Sequence, residues 1–255
     1  SDVCSSDLRV ILDRRPQNEL ERRLVMAKLP HGSLLTQIIL PKDYSIRGSG
    51  DDLSNFFYLL RHNDEWLGRN CVGTPFDGKN FQEWGGIPGK KYMLSFRVIP
   101  MGDCNAVDLA QETHLQILKD CGAMQENETL AYKKIVPAKH TLEGLYIDDH
   151  LVMQILPNRR TRKSRSKFKD EELIDRSRKK YQELGLPISK RKQFTKCSDF
   201  CAWGTSVSSQ SGRVGVSSEK LKGVGELIVE ICQLRFVTQK LLQKAVGLLV
   251  HPAMH

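Results

Sequence analysis

The chain lacks the patterns that would assign it to several common classes of protein. No apolar run reaches the roughly eighteen residues of a membrane-crossing helix, so we expect no transmembrane segment and no membrane partner. The seven cysteines are scattered, and the close pair Cys197 and Cys201 lacks the two-residue spacing of a zinc site. This favours reduced thiols and an intracellular protein, cytoplasmic or nuclear. We find no internal repeat.

What is present is a globular composition with an uneven charge. Apolar residues make up 40% of the 255, enough for one large or two small domains. The net charge is +9, and residues 158 to 169 contain basic side chains without a single acid. Such a segment cannot pack in a core, and it is either a solvated loop or a nucleic-acid contact. Its basic residues are Arg159, Arg160, Arg162, Lys163, Arg165, Lys167 and Lys169.

Residues 1 to 8 stand apart from the rest. They match the peptide that one reading frame of a common sequencing-library adapter encodes. We interpret them as an artefact and expect the natural N-terminus, with any targeting signal, to lie outside this sequence.

Two adjacent carboxylates mark the tip of an alternating apolar segment, residues 144 to 153. The tip reads Tyr146-Ile147-Asp148-Asp149, and another acidic strand end, Asp51-Asp52, precedes it by about a hundred residues. Like charges side by side are costly unless they are solvated or bound to metal. The pattern therefore indicates either an exposed hairpin turn or a two-metal site for phosphoryl transfer, with ions roughly 3.5–4 Å apart.

Periodicity and turn residues predict a mixed order of strands and helices. From Asp103 onward, apolar residues recur at intervals of three and four, and either Asp103 or Asn105 can cap the helix. In chain order we predict a strand and turn at 9–18, a loop at 73–89, a strand at 92–99, the helix from Asp103, a helix capped by Asp170, and two closing helices marked by apolar stripes at 221–231 and 241–248.

Several short motifs follow one another in a recognisable order. Residues 52–58 place an Asp at a strand end with an aromatic residue five positions later, and Pro100-Met101-Gly102 opens a helix. Together with the 146–149 hairpin, these segments resemble a reverse transcriptase, most like those of gypsy-type LTR retroelements, over nearly the whole chain from Arg9. Within that resemblance, 9–18 is similar to a fingers strand, 184–192 to the lysine motif, 200–215 to the primer-gripping hairpin and 217–250 to the thumb.

The resemblance implies an α+β right-hand polymerase whose palm is an antiparallel sheet backed by helices. It divides the chain into partial fingers (9–50), a palm (51–215, with a basic insertion at 158–169) and a helical thumb (216–255), for which truncation is left open. The implied activity is RNA-directed DNA synthesis, in which dNTPs are added to a primer 3′-hydroxyl on an RNA or DNA template. We expect further retroelement domains to be missing from this sequence.

The resemblance also implies roles for single residues. Asp52, Asp148 and Asp149 would hold two Mg²⁺ ions, with Mn²⁺ as an alternative. Asp51 also has an aromatic residue five positions later, but Asp52 is preferred because an apolar residue follows it directly. The candidate nucleotide contacts are Arg9, Phe57 as steric gate, Met101, Gly102, and Lys190 or Lys192 as proton donor to pyrophosphate; the nucleic-acid contacts are Trp203 with Arg159, Arg160, Arg162 and Lys163.

Two departures from the family pattern and two alternatives remain. Met101 stands where glutamine or phenylalanine is commoner, and Asp103 stands where an apolar residue is frequent. These departures concern nucleotide handling and not metal binding. The alternatives are a catalytically inactive nucleic-acid-binding relic of a mobile element and an RNA-dependent RNA polymerase, which shares the two-aspartate hairpin. Phe57 and the thumb pattern argue against the second alternative.

Overall fold

The computed structural model describes residues 12–25, 27–158 and 167–254, without the side chain of His251. Arg9 and four of the predicted nucleic-acid contacts lie outside them: Arg159, Arg160, Arg162 and Lys163. The helices are α1 (Arg15–Leu20), α2 (Phe56–Leu59), α3 (Ala106–Asp120), α4 (Lys169–Glu183), α5 (Ser218–Gln233) and α6 (Gln239–Ala253). The strands are β1 (Tyr44–Asp52), β2 (Cys71–Asp77), β3 (Lys91–Ser95), β4 (Thr129–Leu130), β5 (Thr141–Tyr146), β6 (Asp149–Pro157), β7 (Phe194–Cys197), β8 (Asp199–Ala202), β9 (Thr205–Ser208) and β10 (Arg213–Gly215).

The chain forms two compact units that are discontinuous in sequence. The first comprises Ser1–Ala27 with Asn55–Glu112, and the second comprises Lys28–Ser54 with Thr113–His255. Within the described residues, no helix is long and apolar enough to cross a membrane.

A five-stranded sheet organises the second unit, in the order β4-β5-β6-β1-β7. Its pairs are antiparallel, apart from the short parallel pair of β4 with β5. A three-stranded sheet, β10-β9-β8, contributes Phe200 and Val207 to the same apolar core as Leu142, Leu151 and Met153 of the large sheet. The predicted α+β class is confirmed, with one parallel pair added to the expected antiparallel palm sheet.

The interior strand β1 has two different faces because successive side chains of a strand point to opposite sides. On one side lie Gly48 and Gly50, where an added Cβ would meet the ring of Phe200 at 2.8 Å and that of Phe194 at 2.4 Å. These stacked rings, with centroids 5.6 Å apart, therefore lie directly on the backbone of β1. On the other side the Arg47 guanidinium donates to the Asp170 carboxylate of α4 at 2.7–2.8 Å.

In the first unit, β2 pairs with β3, with an irregularity between Val72 and Phe76. The prediction of a loop at 73–89 is wrong for its first part, which is strand β2. Glycine here serves close approach: a Cβ on Gly78 would lie 2.1 Å from the carbonyl oxygen of Ile87. The turn predicted within 9–18 is also wrong, since α1 begins there with Pro16 in its first turn, a position that suits proline.

The helix predictions differ from the structure mainly at their starts. Helix α3 begins at Ala106, and the Asp103 carboxylate accepts the Asn105 N–H at 2.8 Å, whereas the Asn105 side chain accepts from Leu24. Asp170 is not the cap of α4. It lies inside the helix, buried, because the strand facing it supplies Arg47 as an ionic partner.

Candidate active site

The hairpin between β5 and β6 presents two carboxylates at its tip. Tyr146 pairs with Asp149, so Ile147 and Asp148 form a two-residue turn. Ile147 has φ 57°, a left-handed conformation that is rare for a β-branched residue and that favours glycine at this place in a hairpin. The turn is joined to the end of β1, because the Leu53 N–H donates to the Asp148 carbonyl at 3.0 Å.

Register brings the end of β1 to the same place. Asp52 is the partner of Asp149 in the antiparallel pair. One carboxylate oxygen from each of Asp52, Asp148 and Asp149 lies within 4.8 Å of the others. The structure thus brings together the three residues that the sequence pattern singled out as metal ligands.

Asp51, the competing candidate, points away from this cluster. It is buried on the opposite face of β1, where the Arg178 guanidinium of α4 donates to both of its oxygens at 2.9–3.1 Å. The Gln193 side chain donates a further bond at 2.9 Å. Because side chains alternate along a strand, the two adjacent aspartates lie on opposite faces. Asp51 is paired with Arg178, and Asp52 belongs to the acidic cluster.

The acidic cluster crowds negative charge into a small space. Burial, a hydrogen bond shared with Asp52 and the charge of Asp148 together raise the pKa of Asp149 to about 7. Such a cluster favours either a shared proton or a bound cation.

Lys192 provides the nearest counter-charge that the described residues show. Its Nζ lies 2.5 Å from Asp52 Oδ2, and this bond raises the pKa of the lysine. The segment that carries Lys192 is fixed to the end of β1 by two backbone hydrogen bonds. The Ser54 N–H donates to the Pro187 carbonyl, and the Ser189 N–H donates to the Asp52 carbonyl. Lys190, the other predicted proton donor, is exposed and does not line the cleft described next.

A cleft of about 270 Å³ opens beside the carboxylates. Its wall includes Asp52, Asp149, Lys192, Trp203 and Gly204. Trp203 and Gly204 have φ 51° and 76° and form the two-residue turn between β8 and β9, as a type I′ hairpin requires. The Trp203 ring packs on Gly144, where a Cβ would lie 2.2 Å from it.

The predicted nucleotide contacts other than Lys190 and Lys192 lie in the first unit or outside the described residues. Phe57 is half-buried on α2. The Met101 carbonyl accepts the Leu12 N–H at 3.1 Å, and the Gly102 carbonyl accepts from Asn18 at 2.8 Å. Gly102 has φ 108°, which explains the glycine. The nucleotide roles of these residues stay predictions.

Sequence reasoning missed several polar residues behind the site. Arg178 and Gln193 bind Asp51, and His114 and Tyr181 lie buried beneath the hairpin. The strand alternation could have indicated that Asp51 needs a partner. No local pattern identifies that partner, because it lies more than a hundred positions later in the chain.

Comparison with known proteins supports the fold and leaves the family open. No family model and no curated protein matches the sequence. Among solved structures, a foamy viral protease-reverse transcriptase dRH in complex with double-stranded DNA matches with a TM-score of 0.58 and 17% identity, over 94% of this chain and 32% of that one. The foamy viral protease-reverse transcriptase with dsDNA gives 0.58 and 18%, over 95% and 39%, and with an RNA/DNA hybrid it gives 0.56 and 19%, over 96% and 26%.

These likenesses assign the chain a reverse-transcriptase-like polymerase fold. The chain spans between 26% and 39% of the length of the proteins it matches.

Proposed function

We propose that the chain is the polymerase part of an RNA-directed DNA polymerase. The observation that carries the proposal is the meeting of Asp52, from the end of β1, with Asp148 and Asp149, from the hairpin, beside an open cleft that Asp52 and Asp149 line. The likeness to foamy viral protease-reverse transcriptases supports it, and so do the nucleic acids bound in those structures. The finer assignment, to a gypsy-like LTR element with further domains beyond this sequence, rests on motifs alone.

The donor set fits a pair of divalent metal ions. Three carboxylates within 4.8 Å of one another offer hard oxygen ligands, which suit Mg²⁺ and also Mn²⁺. Bound there, two ions would lower the pKa of a primer 3′-hydroxyl and neutralise the leaving pyrophosphate of a dNTP. The residues of this chain would orient the reactants. The three carboxylates would fix the positions of the two ions, and the cleft would admit the primer end beside Trp203.

Lys192 is the better of the two predicted proton donors. Its ammonium already lies against Asp52, whereas Lys190 is exposed away from the cleft. When a cation occupies the carboxylates, the flexible lysine stem can swing to a phosphate oxygen and donate a proton to the leaving group.

The test is primer extension by the full 255-residue chain with dNTPs and Mg²⁺ on an RNA template. Asp52→Asn should lower the rate at least about a thousandfold, since a metal ligand contributes several kcal/mol of transition-state stabilisation. Asp51→Asn is the matched control, one position away on the opposite face. This substitution should lower the melting temperature, because Arg178 loses its charged partner. It should keep the rate of primer extension within about tenfold of the parent.

Two results would replace the proposal. Tight template binding without any extension would identify an inactive nucleic-acid-binding relic. Equal use of rNTPs and dNTPs, unchanged in Phe57→Ala, would favour an RNA polymerase. If Phe57 is the steric gate, that substitution should instead improve rNTP use about tenfold relative to dNTP, which corresponds to about 1.4 kcal/mol.

A further inference from the structure

A buried histidine connects the catalytic hairpin to two helices behind it. His114, on α3, has its Nδ1 2.8 Å from the Ile147 carbonyl oxygen at the hairpin tip. Its Nε2 lies 2.8 Å from the Tyr181 hydroxyl of α4. Both side chains are fully buried. The three residues therefore form one chain of hydrogen bonds that ends one position before Asp148.

The partners fix which nitrogen of His114 carries the hydrogen. Burial lowers the pKa of His114 to about 3, so the ring is neutral and has a single N–H. A backbone carbonyl can only accept, so the hydrogen must be on Nδ1. Nε2 then accepts, and the Tyr181 hydroxyl is the donor. Tyr181 thus stabilises the tautomer that the Ile147 carbonyl requires, by donating to the unprotonated Nε2.

The hydrogen bond from His114 is made to the strained residue of the hairpin turn, Ile147. Ile147 holds φ 57°, a conformation that is strained for a non-glycine residue and that persists when its surroundings fix it. The Ile147 carbonyl is held by His114, and the next carbonyl, of Asp148, is held by the Leu53 N–H at 3.0 Å. Two successive peptide groups are therefore fixed from different sides, which orients the carboxylates that follow.

We infer that His114 is a positioning residue for the carboxylate hairpin, and that Tyr181 holds its ring in place by donating to Nε2 of the Nδ1–H tautomer. The metal-binding consequence rests on the proposed function, whereas the effect on the hairpin backbone does not. His114 touches neither substrate nor metal in this role. It acts through the conformation of Ile147.

Two amide substitutions separate the hydrogen bond made by Nδ1 of His114 from the hydrogen bond made by Nε2. The side-chain nitrogen of asparagine can take the place of Nδ1, so His114→Asn keeps a donor for Ile147 and loses Tyr181. The amide of glutamine reaches the place of Nε2, so His114→Gln keeps a partner for Tyr181 and loses Ile147. Both variants put a neutral amide into the same buried space, which makes each the control for the other.

The first readout is hydrogen exchange of the full chain without metal. In His114→Gln, the amides of Leu53, Asp148 and Asp149 should exchange about tenfold faster than in the parent, as expected for one lost buried hydrogen bond. In His114→Asn, the conservative replacement should restore most of the protection, to within about threefold. The two side chains differ by one methylene, so the melting temperatures of the two variants should agree within about 5 °C, and the difference in exchange should be confined to the hairpin amides.

The second readout is binding of Mn²⁺ alone, measured by calorimetry. We expect about tenfold weaker binding in His114→Gln than in His114→Asn, which corresponds to about 1.4 kcal/mol. In primer extension, the same contrast should appear in kcat, with the KM for dNTP changed less than about twofold. A general loss of stability would not separate these quantities.

Equal protection of the hairpin amides in the two variants would overturn the inference. If neither variant folds, Tyr181→Phe provides the test, since it keeps the ring but removes the hydroxyl that donates to Nε2. It should accelerate exchange at Asp148 by about threefold, and unchanged exchange would overturn the inference equally. A hairpin that depends on His114 in a chain that neither binds Mn²⁺ nor extends primers would uphold the positioning role and reject the proposed function.

Discussion

Two groups of acidic side chains, one in each unit, show opposite solutions to crowded negative charge. In the first unit Glu21 and Asp103 lie with Cys104 closely enough to hold a metal ion. The Arg14 guanidinium fills that place, at 2.8 Å from Glu21 and 3.1 Å from Asp103. All three charged side chains are at most 6% exposed. This group therefore contains a planar cation bonded to both carboxylates, which cannot leave without depriving two buried carboxylates of their counter-charge.

In the second unit an exposed lysine contacts a cluster of three carboxylates. Lys192 is 58% exposed, on a flexible stem, and contacts one of the three. The excess charge is evident in Asp149, whose pKa is raised to about 7. Proximity of acidic residues therefore does not distinguish a metal site from a structural cluster. The distinguishing property is whether a buried cation already belongs to the group.

The largest expected effect comes from removing one acid from each group. Asp148→Asn should abolish Mn²⁺ binding and lower primer extension at least about a thousandfold, with little loss of stability. Asp103→Asn should leave Mn²⁺ binding intact but cost about 1–3 kcal/mol of unfolding free energy, because Arg14 loses a charged partner. Calorimetric titration and thermal melting of both variants measure the contrast. The comparison fails if Asp103→Asn also removes Mn²⁺ binding.

The second effect is a pH dependence of stability that arises from Asp149 in the carboxylate cluster of the second unit. The folded protein keeps a proton on Asp149 up to about pH 7, whereas the unfolded chain releases it near the ordinary value of 3.8. Stability should therefore fall as pH rises from about 4 to about 7, and level off above. In EDTA, Asp149→Asn should remove this component from the melting temperature. Identical pH profiles for parent and variant would contradict the assignment.

The smallest expected effect concerns the exposed lysine. Lys192→Ala should strengthen Mn²⁺ binding by about threefold, since an exposed ion pair contributes less than about 1 kcal/mol. The same change should slow primer extension if Lys192 donates a proton to pyrophosphate. Lys190→Ala, two positions away, is the control and should change Mn²⁺ affinity little. Equal responses of the two variants would show that Lys192 has no role in catalysis beyond that of a surface lysine.

The acidic hairpin was predictable from the sequence because its signal is local. Asp148 and Asp149 follow an alternating apolar segment, and the apolar residue after Asp52 selected it over Asp51. Strand β2 was missed because the glycines of 73–89 resemble a loop, although Gly78, just after the strand, permits a close backbone contact. His114 and Arg14 could not have been assigned, since their roles depend on partners that distant segments bring together in the folded state.

The pairing of Asp52 with Asp149 also determines when the site can form. Strand β1 lies inside its sheet, yet both of its neighbours, β6 and β7, follow it by roughly a hundred residues or more. During synthesis β1 must therefore wait with both edges unpaired until the later strands emerge, and such edges promote aggregation. The acidic cluster is a late product of folding. Pieces of the chain that end before β6 cannot assemble it and should be the least soluble.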